Sequence, residues 1–446
     1  MTCSARREFL CIALSFLGTI GITSAQSAPP ADRPPVNLPT SKLLTVPSPG
    51  KISSTNSFPA TIVISPDGRY AALLNYGYGT QESLAHQSIA VLDLTNNHLV
   101  DYPDARLSDE SYQSYFLGLV FSSDGKHLYA SVGSVTDPTG AKTGNTGNGI
   151  AVYTFSSQGK VAPERFIAIA PQVLAAGKKV SIGLQKTPAG TAIPYPAGLA
   201  LVRFGGLDKL LVANNLSDNV VLLDVASGKV LQKFDLSTNE LVPSSFPYTC
   251  VATRDGGHAW CSLWNASQVA ELDLTGGKVV RWIKLKEPPD PLAPGSHPTA
   301  MLLSPDESVL YVALSNLDAV AVIATARRND DGYFATIALG GKYSGVYPIA
   351  LAQSSNGRYL FAADSALDAV AVFDTSNFVV NEHTGDALIR PVLGFIPTDW
   401  YPSALAVHGD DLLIATAKGE GAGPNKGMGK TSYEKRHRDH PTLQLC

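Results

Sequence analysis

The chain has 446 residues, 44% of them hydrophobic and 16% charged, with a formal charge of −4; it is long enough to bury a sizeable core. So mild a charge excludes a nucleic-acid groove or an electrostatically held membrane surface as the main partner. Its 39 Gly and 30 Pro are spread as punctuation between short apolar runs, which favours many turns over long helices.

In chain order, Arg6 and Arg7 come first, ahead of an apolar stretch from Phe9 to Ile22 and the small residues Thr23-Ser24-Ala25. Residues 1–25 read as an export signal, too short and too interrupted by Ser, Gly and Thr for a membrane span, and the mature chain is expected to begin near Gln26. Ala5-Arg6-Arg7-Glu8-Phe9-Leu10 is similar to the twin-arginine export motif, with an ordinary secretory signal as the alternative. Residues 26–57 are rich in Pro and Ser and read as a linker, with a candidate strand at Lys42–Val46 that is a possible ring-closing element.

From residue 58 a repeat takes over. Units open at Phe58-Pro59, Tyr115-Phe116, Tyr195-Pro196, Phe246-Pro247, His297-Pro298, Tyr347-Pro348 and Tyr401-Pro402. After each opening comes a short apolar strand, and in five units a tight polar turn follows: Ser65–Gly68, Ser122–Gly125, Arg254–Gly257, Ser304–Glu307 and Ser354–Gly357. Asp-Gly or Asn-Gly suits such a turn because Gly and Asn accept positive φ at little cost. Third strands alternate with period two, as in SIAVLDL from Ser88 and NVVLLDV from Asn219, and LDAVAV is spelled twice, at Leu317–Val322 and Leu367–Val372. Three residues beyond each opening stand Thr61, Gly118, Gly198, Thr249, Ala300, Ala350 and Ala404, all small, as strands crowding round an axis require. The expectation is an all-β, seven-bladed β-propeller of four-stranded antiparallel blades over 58–420. No alternating third strand follows Ala417, so the last blade is expected to be incomplete, and residues 421–446 read as a polar, basic, disordered tail.

Once Cys3 and Cys11 leave with the signal, Cys250, Cys261 and Cys446 remain. Cys250 and Cys261 flank the hairpin turning at Arg254–Gly257, which sets them opposite one another; a disulfide and a pair of packed thiols both fit.

The aromatic-Pro openings, SPDG turns and Asp-x-Val-x-Val third strands resemble the YVTN-type β-propeller repeats of bacterial exported proteins, over roughly 58–420. Asp399-Trp400-Tyr401-Pro402, followed by Ala417-Lys418-Gly419 and Gly423-Pro424-Asn425, is similar to the last blade and exit segment of proteins in which such a propeller precedes an alkaline-phosphatase-type phosphoesterase domain; no residues here match that enzyme domain. The resemblance implies a periplasmic or secreted protein and a truncated form of that architecture.

For function, Tyr195, His297, Tyr347 and Tyr401 are expected to line one mouth of the central channel and to bind a ligand. Insertions at Ser134–Asn148 and Ala170–Pro194 offer a second binding surface for a small molecule or protein. The first strands, among them FPATIVIS and HPTAMLLS, carry no Asp or Glu to hold a metal, so no metal, cofactor or catalytic residue is assigned. Asp364 and Asp399 are loop carboxylates able to reach the mouth, which keeps a lactonase-like hydrolase as the alternative to a non-catalytic binding module. GNTGNG at Gly144–Gly149 lacks the helix of a phosphate loop and reads as an inter-strand connection. His437 and His440 sit in the solvated tail, and Asn215 and Asn265 match a glycosylation pattern that bacterial export leaves bare.

Overall fold

The computed structural model describes residues 50–56, 58–76, 87–107, 112–181, 187–288, 294–326, 331–335, 345–376, 389–390, 392–417 and 442–445. All of them belong to one compact unit, Leu38–Cys446. The export signal, the candidate strand Lys42–Val46, and His437 and His440 lie outside the described residues.

The architecture is an all-β β-propeller. Six of its sheets are four-stranded and antiparallel: 59–103, 114–168, 196–235, 247–284, 348–397, and a closing sheet ordered 51–54, 442–445, 411–416, 402–408. The sheet that begins at Pro298 has a fifth strand, Ile389–Arg390, parallel to Asp331–Ala335. This corrects two expectations. The four-stranded antiparallel blades number six and not seven, and the closing sheet is not incomplete. Thr442–Leu445 supplies its missing third strand against Asp411–Thr416, and Lys51–Ser54 pairs outside it as the fourth, so that edge is covered.

Within a sheet the first turns repeat one chemistry. Ser65 Oγ donates to Asp67 Oδ1 at 2.6 Å and accepts from the Tyr70 N–H at 3.0 Å, while the Gly68 N–H closes the turn on the Ser65 carbonyl at 2.8 Å. Ser122, Ser304 and Ser354 repeat that arrangement with Asp124, Asp306 and Asn356. Between sheets, first strands touch at their small residues. A Cβ on Gly118 would stand 2.4 Å from Leu199 Cγ, and one on Gly198 would stand 2.6 Å from the Tyr248 carbonyl. Where the small residue is Thr its hydroxyl bridges onward, and in the closing sheet Ser403, one position before Ala404, does the same. Thr61 reaches the Leu117 carbonyl at 2.6 Å and Thr249 that of Thr299 at 2.5 Å; Ser403 reaches that of Pro59 at 2.5 Å, joining the closing sheet to the first. Alternate side chains of each sheet interleave with the next, as where Leu413 and Ala415 pack on Ile62, Ala71 and Leu73.

A second link runs through the residue that begins the third strand's turn. Asp318, the second letter of LDAVAV, sits at φ 51° and accepts the N–H groups of Gly345 (2.6 Å), Val346 (2.8 Å) and Tyr347 (3.4 Å) at the next sheet's opening. Asp368, in the second LDAVAV, does the same to Tyr401 at 2.9 Å. Asp218 accepts from the N–H groups of Ser244, Ser245 and Phe246; Ser267 accepts from Ser296, and Gln87 from Tyr115.

Cys250 and Cys261 are cross-strand partners, their Cα atoms 4.2 Å apart and their Sγ atoms 2.05 Å apart, in a core cluster with Leu263 and Ala259. The unreduced protein should therefore weigh about 2 Da less than the reduced form, and an intact-mass measurement that shows no difference would contradict the bond. Asp318→Ala should cost roughly 2–4 kcal/mol in urea unfolding, because it leaves buried N–H groups unpaired and puts Ala at positive φ. Asp318→Asn should cost less; equal midpoints for all three proteins would remove the clamp.

Candidate functional site

The repeat's openings build the site. Phe58, Tyr195, Phe246, His297, Tyr347 and Tyr401 all precede proline and all lie in the left-handed region, at φ 48–62°. Each carbonyl accepts the N–H of the residue that ends its sheet's second strand, from 2.9 Å for Ala417 onto Tyr401 to 3.3 Å for Tyr76 onto Phe58. This conformation costs about 1–2 kcal/mol per residue. Its result is that the rings gather at the end of the channel where the first strands begin.

Three groupings form there. Phe58 lies 4.7 Å from Tyr76 and 6.0 Å from Tyr401, joining the first sheet to the closing one. Phe116 meets Tyr195 at 5.7 Å and Tyr248 at 5.9 Å, and the contact with Tyr248 skips a sheet, since 196–235 intervenes. On the far side the His297 imidazole stacks on the Trp264 indole at 3.8 Å with planes 20° apart, and Phe246 packs against Trp264 at 6.4 Å. Tyr347 is 45% exposed, the most open of the openings.

Burial raises the Tyr76 hydroxyl, and the nearby phenols of Tyr248 and Tyr401 raise it further. Burial likewise pushes Tyr248 up to about 12, with Tyr401 adding to it, and Tyr401 is raised by burial and by Tyr347. These groups therefore stay protonated at neutral pH and offer uncharged hydroxyls among aromatic faces. His297 moves the other way. Desolvation lowers its pKa below 6.5 against the opposing hydrogen bond that the ring donates to the Pro294 carbonyl, and its Nε2 is buried without a partner. It is a neutral imidazole with an open lone pair.

Of the residues expected at the mouth, Tyr195, His297, Tyr347 and Tyr401 all stand at this end. Tyr115 does not. The second unit lacks proline, and its first strand carries an irregularity between Tyr115 and Leu119 that turns Phe116 toward the channel and Tyr115 into the core. There the Tyr115 hydroxyl meets that of Tyr153, which donates to Asp104 at 2.5 Å, itself paired with Arg106 at 2.7 Å. Asp364 and Asp399 are fully buried and engaged by the protein. Among the described residues no three His, Cys, Asp or Glu side chains converge as a metal set.

Tyr76, Tyr248 and Trp264 were not anticipated, although unit-to-unit comparison carries the signal. After the opening proline other units place Ala60, Ala197, Thr299, Ile349 and Ser403 where this one has Tyr248, and after the second strand Asn215, Ser315 and Ser365 stand where Tyr76 and Trp264 are found. Both insertions lie at this same end: Ser134 Oγ donates to the Tyr112 carbonyl, and Lys179–Val180 pairs in parallel with Leu241–Val242. Val135 and Val173 leave apolar surface exposed on them, and Tyr112 and Leu241, against which the insertions lie, are exposed as well.

No protein-family model matches the chain, and no curated protein sequence matches it. Solved structures do. A catalytically inactive His-to-Ala variant of virginiamycin B lyase from Staphylococcus aureus, with quinupristin, aligns over 89% of this chain and 99% of its own at 12% identity and TM-score 0.53. The chain is a β-propeller. Kuenenia stuttgartiensis hydrazine synthase aligns over 88% and 97% at 14% identity and TM-score 0.57, and the periplasmic gluconolactonase of Pseudomonas aeruginosa over 77% and 86% at 17% identity and TM-score 0.53. At these identities the likeness speaks for the fold alone.

Stacking on His297 should make Trp264 report the imidazole's charge. Tryptophan emission should fall as pH drops, with a midpoint below 6.5, and His297→Leu should abolish that transition; a midpoint at or above 6.5 would contradict the desolvated site.

Proposed function

We propose that this propeller binds a small, uncharged, ring-shaped ligand at its aromatic mouth. The observation that carries this is the convergence of the Tyr76, Tyr248 and Tyr401 phenols, from three separate sheets, beside Phe58 and Phe116. Aromatic faces stack on an apolar ring face, and neutral hydroxyls meet ring oxygens or hydroxyls without demanding charge. Neutral sugars and their lactones have that chemistry.

A second reading, hydrolysis of a cyclic ester, is favoured by His297. A neutral imidazole with an unpartnered Nε2 can take the proton of a water that attacks a lactone carbonyl, the ring C–O bond then breaking to leave a hydroxy acid. Propeller enzymes among the structural neighbours, a gluconolactonase and a lyase whose His-to-Ala variant is inactive, are consistent with this reading. The YVTN-type resemblance and the Cys250–Cys261 bond support export to the periplasm, and the exit segment's resemblance supports service beside a phosphoesterase.

Titration with glucono-δ-lactone and with a neutral hexose tests both. Saturable heat that Tyr401→Ala weakens by at least about tenfold, with an unchanged urea midpoint, is the expected outcome for binding. Lactone-dependent acid release lost in His297→Ala, while binding persists, is the outcome for hydrolysis. Absence of binding by either compound would overturn the first reading, and acid release undiminished in His297→Ala would overturn the second.

A further inference from the structure

The first strands have another end. Pro247–Ala252 starts after Phe246 at the aromatic mouth and stops before the turn at Arg254, so the tight turns ring the opposite end of the channel. There a cavity of about 490 Å³ opens, walled by apolar groups that include Ala200, Leu302 and Val407 and edged by Arg254, Glu307 and Gln353. That volume is in the range of small-molecule sites.

Glu307 is the residue out of place. In the matching turns the position is Gly68, Gly125, Gly256 or Gly357, at φ 70–71°, and Glu307 adopts φ 60° without glycine's freedom. The conformation costs about 1 kcal/mol or more for a side-chain-bearing residue. Its Oε1 accepts the Arg254 N–H at 2.9 Å and lies 3.6 Å from the Arg254 Nε, while the Arg254 guanidinium donates to the Pro305 carbonyl. Oε2 carries no hydrogen bond among the described residues. Gln353 lies alongside, its Nε2 committed to the Gly357 carbonyl at 2.8 Å and its Oε1 sealed away from the cavity. The serines alongside are used up, Ser304 on Asp306, Ser354 on Asn356 and Ser355 on the Gly409 carbonyl.

A strained carboxylate with one oxygen to spare thus edges a cavity of mixed apolar and polar lining. We propose that the turn end of the channel is a second ligand site, distinct from the aromatic mouth, that takes a small molecule with an apolar body and a primary ammonium head. The body lies against Ala200, Leu302 and Val407, and the head donates to Glu307 Oε2. Glutamate holds the glycine position because its carboxylate serves this site at the expense of the turn.

Hexylammonium is the probe, with hexanoate of the same chain length as its control, titrated into the full chain and followed by NMR and calorimetry. Hexylammonium should saturate and hexanoate should not. Glu307→Gly should weaken hexylammonium by at least about tenfold, the loss of a charge-assisted hydrogen bond, and should at the same time raise Tm, because glycine releases the turn. If Glu307 served only to clamp Arg254, Glu307→Gly would lower Tm, and that result overturns the proposal. So does failure of hexylammonium to saturate, or hexanoate binding equally well.

Discussion

The propeller depends on a carboxylate that leaves its own sheet. Asp218, Asp318 and Asp368 each stand at positive φ just before a third strand, and each accepts backbone N–H groups where the next sheet begins. The strain at the donor and acceptor ends, about 1–2 kcal/mol apiece, is smaller than the three backbone hydrogen bonds accepted by Asp218 and by Asp318, at about 1.5–3 kcal/mol each. At Phe246, Tyr347 and Tyr401 the clamp holds the N–H of the left-handed residue whose carbonyl the second strand holds. The clamp therefore orders the fold and aims the mouth. Where it is weakened to Gln87, the following unit loses its proline, and its opening tyrosine folds inward to a buried Tyr–Tyr–Asp–Arg chain.

Much of this was legible in the sequence because it is local and repeated. Alternation in SIAVLDL and the turn at Ser65–Gly68 specify strands and hairpins within about ten residues, and the small residues at Thr61, Gly118 and Gly198 announce crowding at an axis. The pairing of Cys250 with Cys261 follows from the same hairpin arithmetic. The repeated LDAVAV spelled a strand plainly, but not the task of its aspartate, whose acceptors act on N–H groups 27–33 residues further on.

What failed was non-local. Thr442–Leu445 is four residues long and separated from Asp411–Thr416 by a polar stretch, so nothing nearby in sequence marks it as the third strand of the closing sheet. Ile389–Arg390 is shorter still, and its parallel pairing with Asp331–Ala335 has no hairpin signal to reveal it. Short strands pair where an edge is offered, and the edge is a property of the assembled ring. The blade description was wrong at those two places for that reason.

The same contrast locates chemistry. Residues that obey the repeat hold the ring together, so a residue that breaks it at a known register is free to do something else. Tyr248 stands where other units keep Ala, Thr, Ile or Ser, and its ring reaches Phe116 past an intervening sheet. Trp264 replaces a small polar residue and gives His297 a face to stack on. Glu307 replaces a turn glycine at the far end of the same channel. Smaller residues fill the same positions elsewhere in the ring, so the repeat itself does not require these three. In a repeat of this regularity each sheet serves as the control for the others, and the departures divide by end: neutral rings and hydroxyls at the openings, hydrogen-bond acceptors at the turns. One channel thus presents two unlike chemistries, separated by the length of its first strands.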